Sequence, residues 1–273
     1  MRPSIVAASV AAAIVPTVVT STSFAQEEDE AYTTETVVYS QRRLVMAPTL
    51  VRPELVFFLQ NLPGTGDNGD DEIGVGFGVK VDWTPIDKLQ VGATASPRLS
   101  PETDANDPSI YARYLLLDKA PVQLALQAGY TFTDPSPGSI QLGVPLRIPL
   151  TPAARLDVSP FVYIDLPNDN NGDKVWANLS VPLSLGVSLT RALYLDVMTG
   201  FDLPHFDGDL ASMPLGLEVG YSIKGGEESA FIDILLRFRF DSFIRPNAPE
   251  GVDAVNTDNW FLGLGARAHF GYE

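Results

Sequence analysis

The feature that most constrains this chain is an alternation of apolar with small or polar residues at a period of two. It is clearest over residues 73–83, where Ile, Val, Phe, Val, Val and Trp alternate with Gly, Gly, Gly, Lys and Asp. The last stretch, 260–272, repeats the pattern, with leucines, alanines and aromatic residues on one face and glycines, arginine and histidine on the other. A period of two places successive side chains on opposite faces of a β-strand. The chain is therefore predicted to be all-β.

Segments of this kind recur so regularly that they can be counted, and we count twelve. The predicted strands cover 50–60, 73–83, 89–96, 110–117, 122–132, 140–150, 156–166, 175–189, 193–203, 211–224, 230–240 and 260–273. The links between them alternate between short turns, such as 84–87 and 190–192, and mostly longer acidic loops, such as 61–72 and 97–108. An even number of strands with short turns at one end and longer loops at the other is the topology of a single transmembrane antiparallel β-barrel.

The end of the chain resembles the terminal assembly signal of Gram-negative outer-membrane β-barrels, whose closing strand ends on an aromatic residue. Phe270 and Tyr272 carry the resemblance, and Glu273 departs from the usual terminal aromatic. It implies a porin-like barrel that is folded by the outer-membrane barrel assembly machinery and contacts outer-membrane lipid and lipopolysaccharide. Other aromatic residues near the strand ends are predicted to form two girdles at the membrane interfaces. A secreted β-sandwich is the alternative for short alternating strands.

The N-terminus has the composition of a secretory signal peptide. Arg2 precedes an apolar run at 5–19, and residues 23–25 supply small side chains at the positions that signal peptidase reads. The run contains Pro16 and is shorter than the roughly 20 apolar residues of a spanning helix. We therefore predict a signal peptide at 1–25, an acidic periplasmic tail at 26–47 and the transmembrane barrel at 48–273.

Composition excludes several classes of function. The chain has 34 acidic and 18 basic residues and a formal net charge of −16, which disfavours nucleic-acid binding because phosphate contacts need clustered Lys and Arg. It contains no cysteine, so thiolate metal sites and cysteine nucleophiles are excluded as well. A chain without cysteine also suits the oxidising periplasm.

The inward faces of the predicted strands carry the candidate site. The residues predicted to line the pore are Arg52, Glu54, Lys80, Arg113, Arg147, Glu218, Asp233, Arg237, Arg239, Arg267 and His269. The fifth, sixth and eighth predicted strands instead present a mostly uncharged inward face of Gln, Asn, Ser and Thr. A charged wall that faces an uncharged polar wall can orient a hydrated solute. The alternative is that the charged side chains pair with each other and fill the barrel, and twelve strands do not decide between the two.

The charge balance of this lumen suggests a selectivity. Arg237, Arg239, Arg267 and Arg52 share one wall, and we expect the nearby carboxylates to be too few to neutralise them. A net positive wall behind acidic loops predicts weak selectivity for anions. The predicted function is thus a narrow channel for passive diffusion of small polar or anionic solutes. The alternative is a structural or surface-interaction barrel with a filled lumen.

Two further kinds of site are considered. The loops contain acidic and amide side chains that could hold Ca²⁺ or Mg²⁺, the candidates being Asp67, Asp70, Asp169, Asn171 and Asp173. An outer-membrane lipid-modifying enzyme would need a histidine with suitable partners, and His205 lies beside Asp207, Asp209 and Ser212. Because no nucleophile elbow and no second histidine accompany His205, the sequence predicts no catalytic residue and no enzyme.

Overall fold

A computed structural model describes residues 38–64, 70–100, 107–119, 122–133, 138–167, 175–224, 231–248 and 253–271. These residues belong to one compact unit, Tyr32–Glu273. The predicted signal peptide at 1–25 and the first part of the predicted tail, 26–37, lie outside the described residues. The prediction of a signal peptide therefore stays a prediction.

The described residues are mostly β-strand, as the alternation predicts. The strands are β1 (Val51–Leu62), β2 (Glu72–Ile86), β3 (Leu89–Ala95), β4 (Arg98–Ser100), β5 (Ser109–Lys119), β6 (Val122–Thr131), β7 (Ser139–Gly143), β8 (Leu146–Thr151), β9 (Ala154–Val158), β10 (Phe161–Asp165), β11 (Trp176–Ser188), β12 (Leu193–Leu203), β13 (Met213–Lys224), β14 (Phe231–Ile244) and β15 (Trp260–His269). Three short 3₁₀ turns accompany them, at Tyr39–Gln41, Pro204–Phe206 and Gly208–Leu210.

Neighbouring strands of the wall pair antiparallel, and the last strand of the chain pairs with the first. β15 lies beside β1 in a register that runs from Glu54 opposite Arg267 to Gln60 opposite Phe261. Three pairs of short strands, β3 with β4, β7 with β8 and β9 with β10, each run along a shared neighbour and form one strand of the wall. The wall therefore has twelve strands and closes on itself, which confirms the predicted barrel.

Prolines divide two of the strands that the sequence predicts as continuous. The predicted strand 140–150 breaks at Val144 and Pro145, and the predicted strand 156–166 breaks at Ser159 and Pro160. Proline has no backbone N–H to donate to the ladder. The two breaks lie beside each other, and the backbone N–H of Val144 donates to the carbonyl of Pro160 at 3.0 Å. The barrel thus stays closed across the irregularity.

The two faces of the wall differ as the alternation predicts. Apolar side chains on the outside are exposed, for example Phe57 at 59% and Leu264 at 60%, whereas the inward-facing Asp82 and Glu218 are buried. An apolar outer surface around a polar interior is the arrangement of a barrel that spans a membrane. No helix in the described part of the chain is long and apolar enough to cross a membrane.

The two ends of the barrel differ in their connections, and we name them accordingly. The turn end carries the short links, including those after β2, β8 and β11, together with the last residues of β15. The loop end carries the longer links, among them the segments after β1, β12 and β14.

Candidate functional site

The turn end of the lumen is occupied by the chain's own residues 38–47, which we call the plug. Its contacts reach strands on several sides of the barrel. The backbone N–H of Leu44 donates to Gln123 on β6 at 2.8 Å, and the side chain of Arg42 donates to Asp233 on β14 at 2.6 Å, on the opposite side of the twelve-stranded wall. A segment that contacts such widely separated strands crosses the lumen.

The sequence predicts a solvated tail at 26–47, and the structure differs over residues 38–47. Tyr39, Val45 and Met46 are buried, Val45 to 1% exposure. The physical reason is composition, because the acidic residues of the predicted tail precede residue 38, and the plug contains the apolar run Leu44, Val45 and Met46. These side chains gain free energy by leaving water.

The wall at the turn end has apolar residues that face inward and receive the plug. The Tyr39 ring stacks on Tyr194 with 3.8 Å between centroids, and Leu44 and Val45 form a buried cluster with Leu115 on β5 and Ala125 on β6. These wall residues face a lumen that would otherwise hold water. Their burial depends on the plug.

Arginines of the wall satisfy the carbonyl groups of the plug. Arg147 donates to the carbonyl of Arg42 at 2.6 Å, Arg113 donates to that of Leu44 at 3.2 Å, and Arg155 donates to that of Tyr39. Arg147 and Arg113 are among the residues predicted to line the pore, whereas Arg155 is not. Backbone groups without a strand partner need such donors when they are buried.

Arg42 makes the strongest polar contact between plug and wall. Its guanidinium donates to both carboxylate oxygens of Asp233 at 2.6 and 2.9 Å and to Ser222 at 2.9 Å. The guanidinium also lies 4.9 Å from the centre of the Phe231 ring. Asp233 is fully buried and is in addition 3.0 Å from His269. A paired guanidinium and carboxylate in a two-pronged geometry is the strong form of this contact.

Tyr39 adds a second polar contact between plug and wall. Its hydroxyl donates to the carboxylate of Asp196 on β12. Burial raises the pKa of the Tyr39 hydroxyl well above its usual range, and the carboxylate of Asp196 acts in the same direction. The hydroxyl therefore stays protonated and remains a donor.

Above the plug, the predicted arginines are paired with carboxylates. Arg237 is 2.8 Å from Glu218 and 3.3 Å from Glu54, and Arg267 is 2.6 Å from Glu54. This network joins β1, β13, β14 and β15, as their side-by-side register requires. The arginines and carboxylates of the predicted charged wall do lie together.

The expectation that too few carboxylates face these arginines is wrong. Arg52 pairs with Asp82 at 2.5 Å, and Arg239 pairs with Asp241 at 2.5 Å. The sequence predicts a strand that ends at residue 240 and places Asp241 in the following loop, but β14 continues to Ile244 and carries Asp241 along the wall. Asp82 follows the inward alternation of β2 and could have been counted.

Among the open cavities in the described part of the lumen beyond the plug, two lie along β14. The first, of about 380 Å³, is lined by four basic side chains and one carboxylate: Lys80, Arg98, Arg237, Arg239 and Glu54. The second, of about 450 Å³, is lined by carboxylates and hydroxyls: Asp157, Asp202, Asp241, Ser159, Ser180, Ser184 and Thr199, with Arg239 again at its edge. The wall predicted to be mostly uncharged thus also carries carboxylates, because Asp157 and Asp202 line the same cavity as its serines.

The remaining predicted site residues are placed as follows. Lys80 is 3.5 Å from Asp82 on the inner face of β2. His205 lies in a 3₁₀ turn at the loop end, with its ring 3.7 Å from that of Trp176. Of the predicted ion ligands, Asp70 is described, whereas Asp67, Asp169, Asn171 and Asp173 lie outside the described residues. The described part of the chain contains no group of three or more His, Asp or Glu side chains that could hold a metal.

Comparison with known proteins shows which solved structures share this fold. No family model matches the sequence, and no curated protein matches it. Among solved structures, the barrel is similar to the NanC porin, with a TM-score of 0.58 and 7% identity over 81% of this chain and 100% of that chain. It is similar to the KdgM porin, with a TM-score of 0.55 and 6% identity over 81% of this chain and 99% of that chain. It is also similar to the COG4313 outer membrane channel from Pseudomonas putida F1, with a TM-score of 0.52 and 10% identity over 83% and 97%. The chain therefore has the fold of an outer-membrane porin.

Proposed function

We propose that this protein is an outer-membrane channel for passive diffusion of small, polar, anionic solutes, and not an enzyme. The turn end faces the periplasm and the loop end faces outward, as in bacterial barrels of this topology. Lipid, lipopolysaccharide and the barrel assembly machinery are the partners that such a location implies.

One observation carries the proposal. The first cavity, which we call the basic cavity, is lined by Lys80, Arg98, Arg237 and Arg239 and by the single carboxylate Glu54. The other carboxylates that pair with these side chains, Asp82, Glu218 and Asp241, lie outside its lining. Arg239 has 44% of its side chain accessible, so it can donate to a passing anion while still near Asp241. Cationic side chains around a water-filled passage favour anions.

The structural neighbours support the same class of solute. A KdgM structure similar to this barrel, with a TM-score of 0.55 and 5% identity, is a complex with disordered oligogalacturonate. Both named porins match along nearly their whole length. The net charge of this chain argues for modest selectivity, because acidic loops repel anions before they reach the cavity.

The test is the reversal potential of purified protein in a planar bilayer under a salt gradient. We expect weak anion selectivity that shifts towards cations in Arg239→Ser and further in the double change Arg237→Ser with Arg239→Ser. Arg245→Ser, which removes one charge from the segment after β14 and outside the basic cavity, is the matched control and should shift the reversal potential less than either cavity change.

Two results would count against the proposal. Absence of any current from correctly folded protein removes the channel and favours a structural or surface-interaction barrel, which the occupied turn end of the lumen would suit. If the protein conducts but its reversal potential is the same in both arginine variants, the channel function stands and the basic cavity does not determine its selectivity.

A further inference from the structure

We propose that the plug, residues 38–47, is a displaceable gate: solute passes only when it leaves the turn end, and the contact between Arg42 and Asp233 holds it closed. The proposal rests on the channel function proposed above. It adds that the resting channel is closed most of the time and conducts only during the openings in which the plug leaves.

Closure follows from the distribution of contacts. The plug touches Gln90 on β3, Gln123 on β6, Arg147 on β8, Ser188 on β11 and Asp233 on β14. These strands lie around the barrel and not on one side of it. Water and solute must therefore pass through the space that the plug occupies.

The plug can leave without breaking a strand ladder. None of its residues belongs to a strand, and its backbone N–H groups at Ser40, Leu44 and Met46 bond to side chains of the wall. It joins β1 through Thr49, which has a left-handed backbone with φ of 67°, and strand pairing begins at Val51. The link at residues 47–49 is thus the natural pivot.

Three charged wall residues keep polar partners when the plug is absent, whereas Asp196 loses the donor that the Tyr39 hydroxyl supplies. Asp233 retains Ser222 at 2.6 Å and His269 at 3.0 Å, so it is not left without donors. Arg147 retains both oxygens of Asp157 at 2.6 and 2.8 Å, and Arg113 retains Gln127. This arrangement lowers the cost of opening, because unpaired buried charges are what make such a step expensive.

The closed state is favoured by what the plug buries. Leu115, Tyr194 and Leu235 on the wall are each about 1% exposed and lie against or beside plug residues. Opening exposes these side chains to water in the lumen. Together with the two-pronged contact of Arg42, this makes the plug a two-state element with a closed resting state.

A disulfide lock tests the gate directly. The hydroxyl oxygens of Ser40 and Ser188 are 3.0 Å apart, and the chain has no cysteine of its own, so Ser40→Cys with Ser188→Cys creates a single possible disulfide. We expect the oxidised double variant to lose its conductance and the reductant to restore it. Ser40→Cys alone, treated in the same way, is the control. An oxidised variant that conducts like the reduced one overturns the gate.

A second experiment detects opening without any current. In the single variant Ser40→Cys, the new thiol occupies a position that is only 2% exposed, so its alkylation by a bulky water-soluble maleimide reports departure of the plug. Adding Arg42→Gln removes the two hydrogen bonds to Asp233 and the one to Ser222, and it should raise the alkylation rate at least about tenfold, the factor that corresponds to a single charge-assisted hydrogen bond. Adding Arg43→Gln is the matched control with little effect, because Arg43 pairs with Asp118 in a partly exposed position.

The two experiments separate this proposal from the channel function. Absence of current in every variant overturns the channel, and with it any transport role of the gate. If current persists but Arg42→Gln leaves the alkylation rate unchanged, the channel function stands, and the contact between Arg42 and Asp233 does not hold the plug closed. Heat-modifiable migration of each variant in electrophoresis shows that the barrel is folded before either measurement.

Discussion

The two ends of this lumen use the same pair of residue types in opposite ways. At the turn end, Arg42 and Asp233 have side chains that are 12% and 0% exposed, and two more groups, Ser222 and His269, surround the carboxylate. At the loop end of β14, Arg239 and Asp241 form a pair whose side chains are 44% and 28% exposed. The difference teaches that water access, and not residue type, decides what an ion pair does in a barrel.

Water access has this effect through the dielectric environment. A dehydrated pair is costly to break because each partner is left as an uncompensated charge. A hydrated pair contributes little to stability and is screened by salt, so its side chains are available to solutes. The turn end is therefore expected to contribute mainly to stability and closure, and the loop end mainly to selectivity.

The largest expected effect comes from removing one carboxylate charge at each end. Asp233→Asn should lower the free energy of unfolding by about 3–5 kcal/mol, the range for breaking a buried pair from one side. Asp241→Asn should cost about 0–1 kcal/mol, as for an exposed pair. Urea unfolding in lipid vesicles, followed by tryptophan fluorescence, measures both. Equal costs at the two sites would abolish the distinction between the ends.

The outer surface provides a reference that is independent of the lumen. Val79→Arg, on the outward face near the middle of β2, should cost roughly 2–4 kcal/mol because it places a charge in hydrocarbon. Gly78→Ser, its inward neighbour, should be nearly silent, since the added carbon would lie 3.5 Å from the Ser96 hydroxyl in ordinary contact. The same unfolding assay applies, and similar losses from both changes would mean that the inward and outward faces are misassigned.

Whether a feature of the fold or of the site can be predicted from the sequence depends on how far apart in the chain the interacting residues lie. The strands follow from alternation, a local property, so β2 and β15 could be placed together with their inward residues. The extension of β14 to Asp241 could not, because nothing in the local pattern separates a strand that leaves the membrane from a loop. Pro145 and Pro160 are visible in the sequence, but the pairing that keeps the barrel closed beside them is not.

The plug illustrates the limit most clearly. Its partners lie far along the chain, for example Asp233 for Arg42 and Asp196 for Tyr39, and no periodic pattern links them. A hint existed in Leu44, Val45 and Met46, an apolar run too short for a membrane-spanning strand and out of place in a solvated tail. Inward-facing apolar residues at one end of the wall, such as Leu115, were a second hint that something covers them.

A glycine on the wall gives the finest test of the difference between the ends. A methyl group on Gly186, in β11, would lie 2.7 Å from Cε1 of Tyr39, closer than real side chains approach, so Gly186→Ala must displace either the tyrosine ring or the strand. We expect a cost of about 1–3 kcal/mol, typical of overpacking, in the same unfolding assay. Gly78→Ala, beside the open basic cavity, is the matched control and should change stability little, because its methyl group meets nothing closer than 3.5 Å. If Gly186→Ala were as silent as its control, the Tyr39 ring would not be held between Tyr194 and the wall, and the turn end would be as open to water as the loop end.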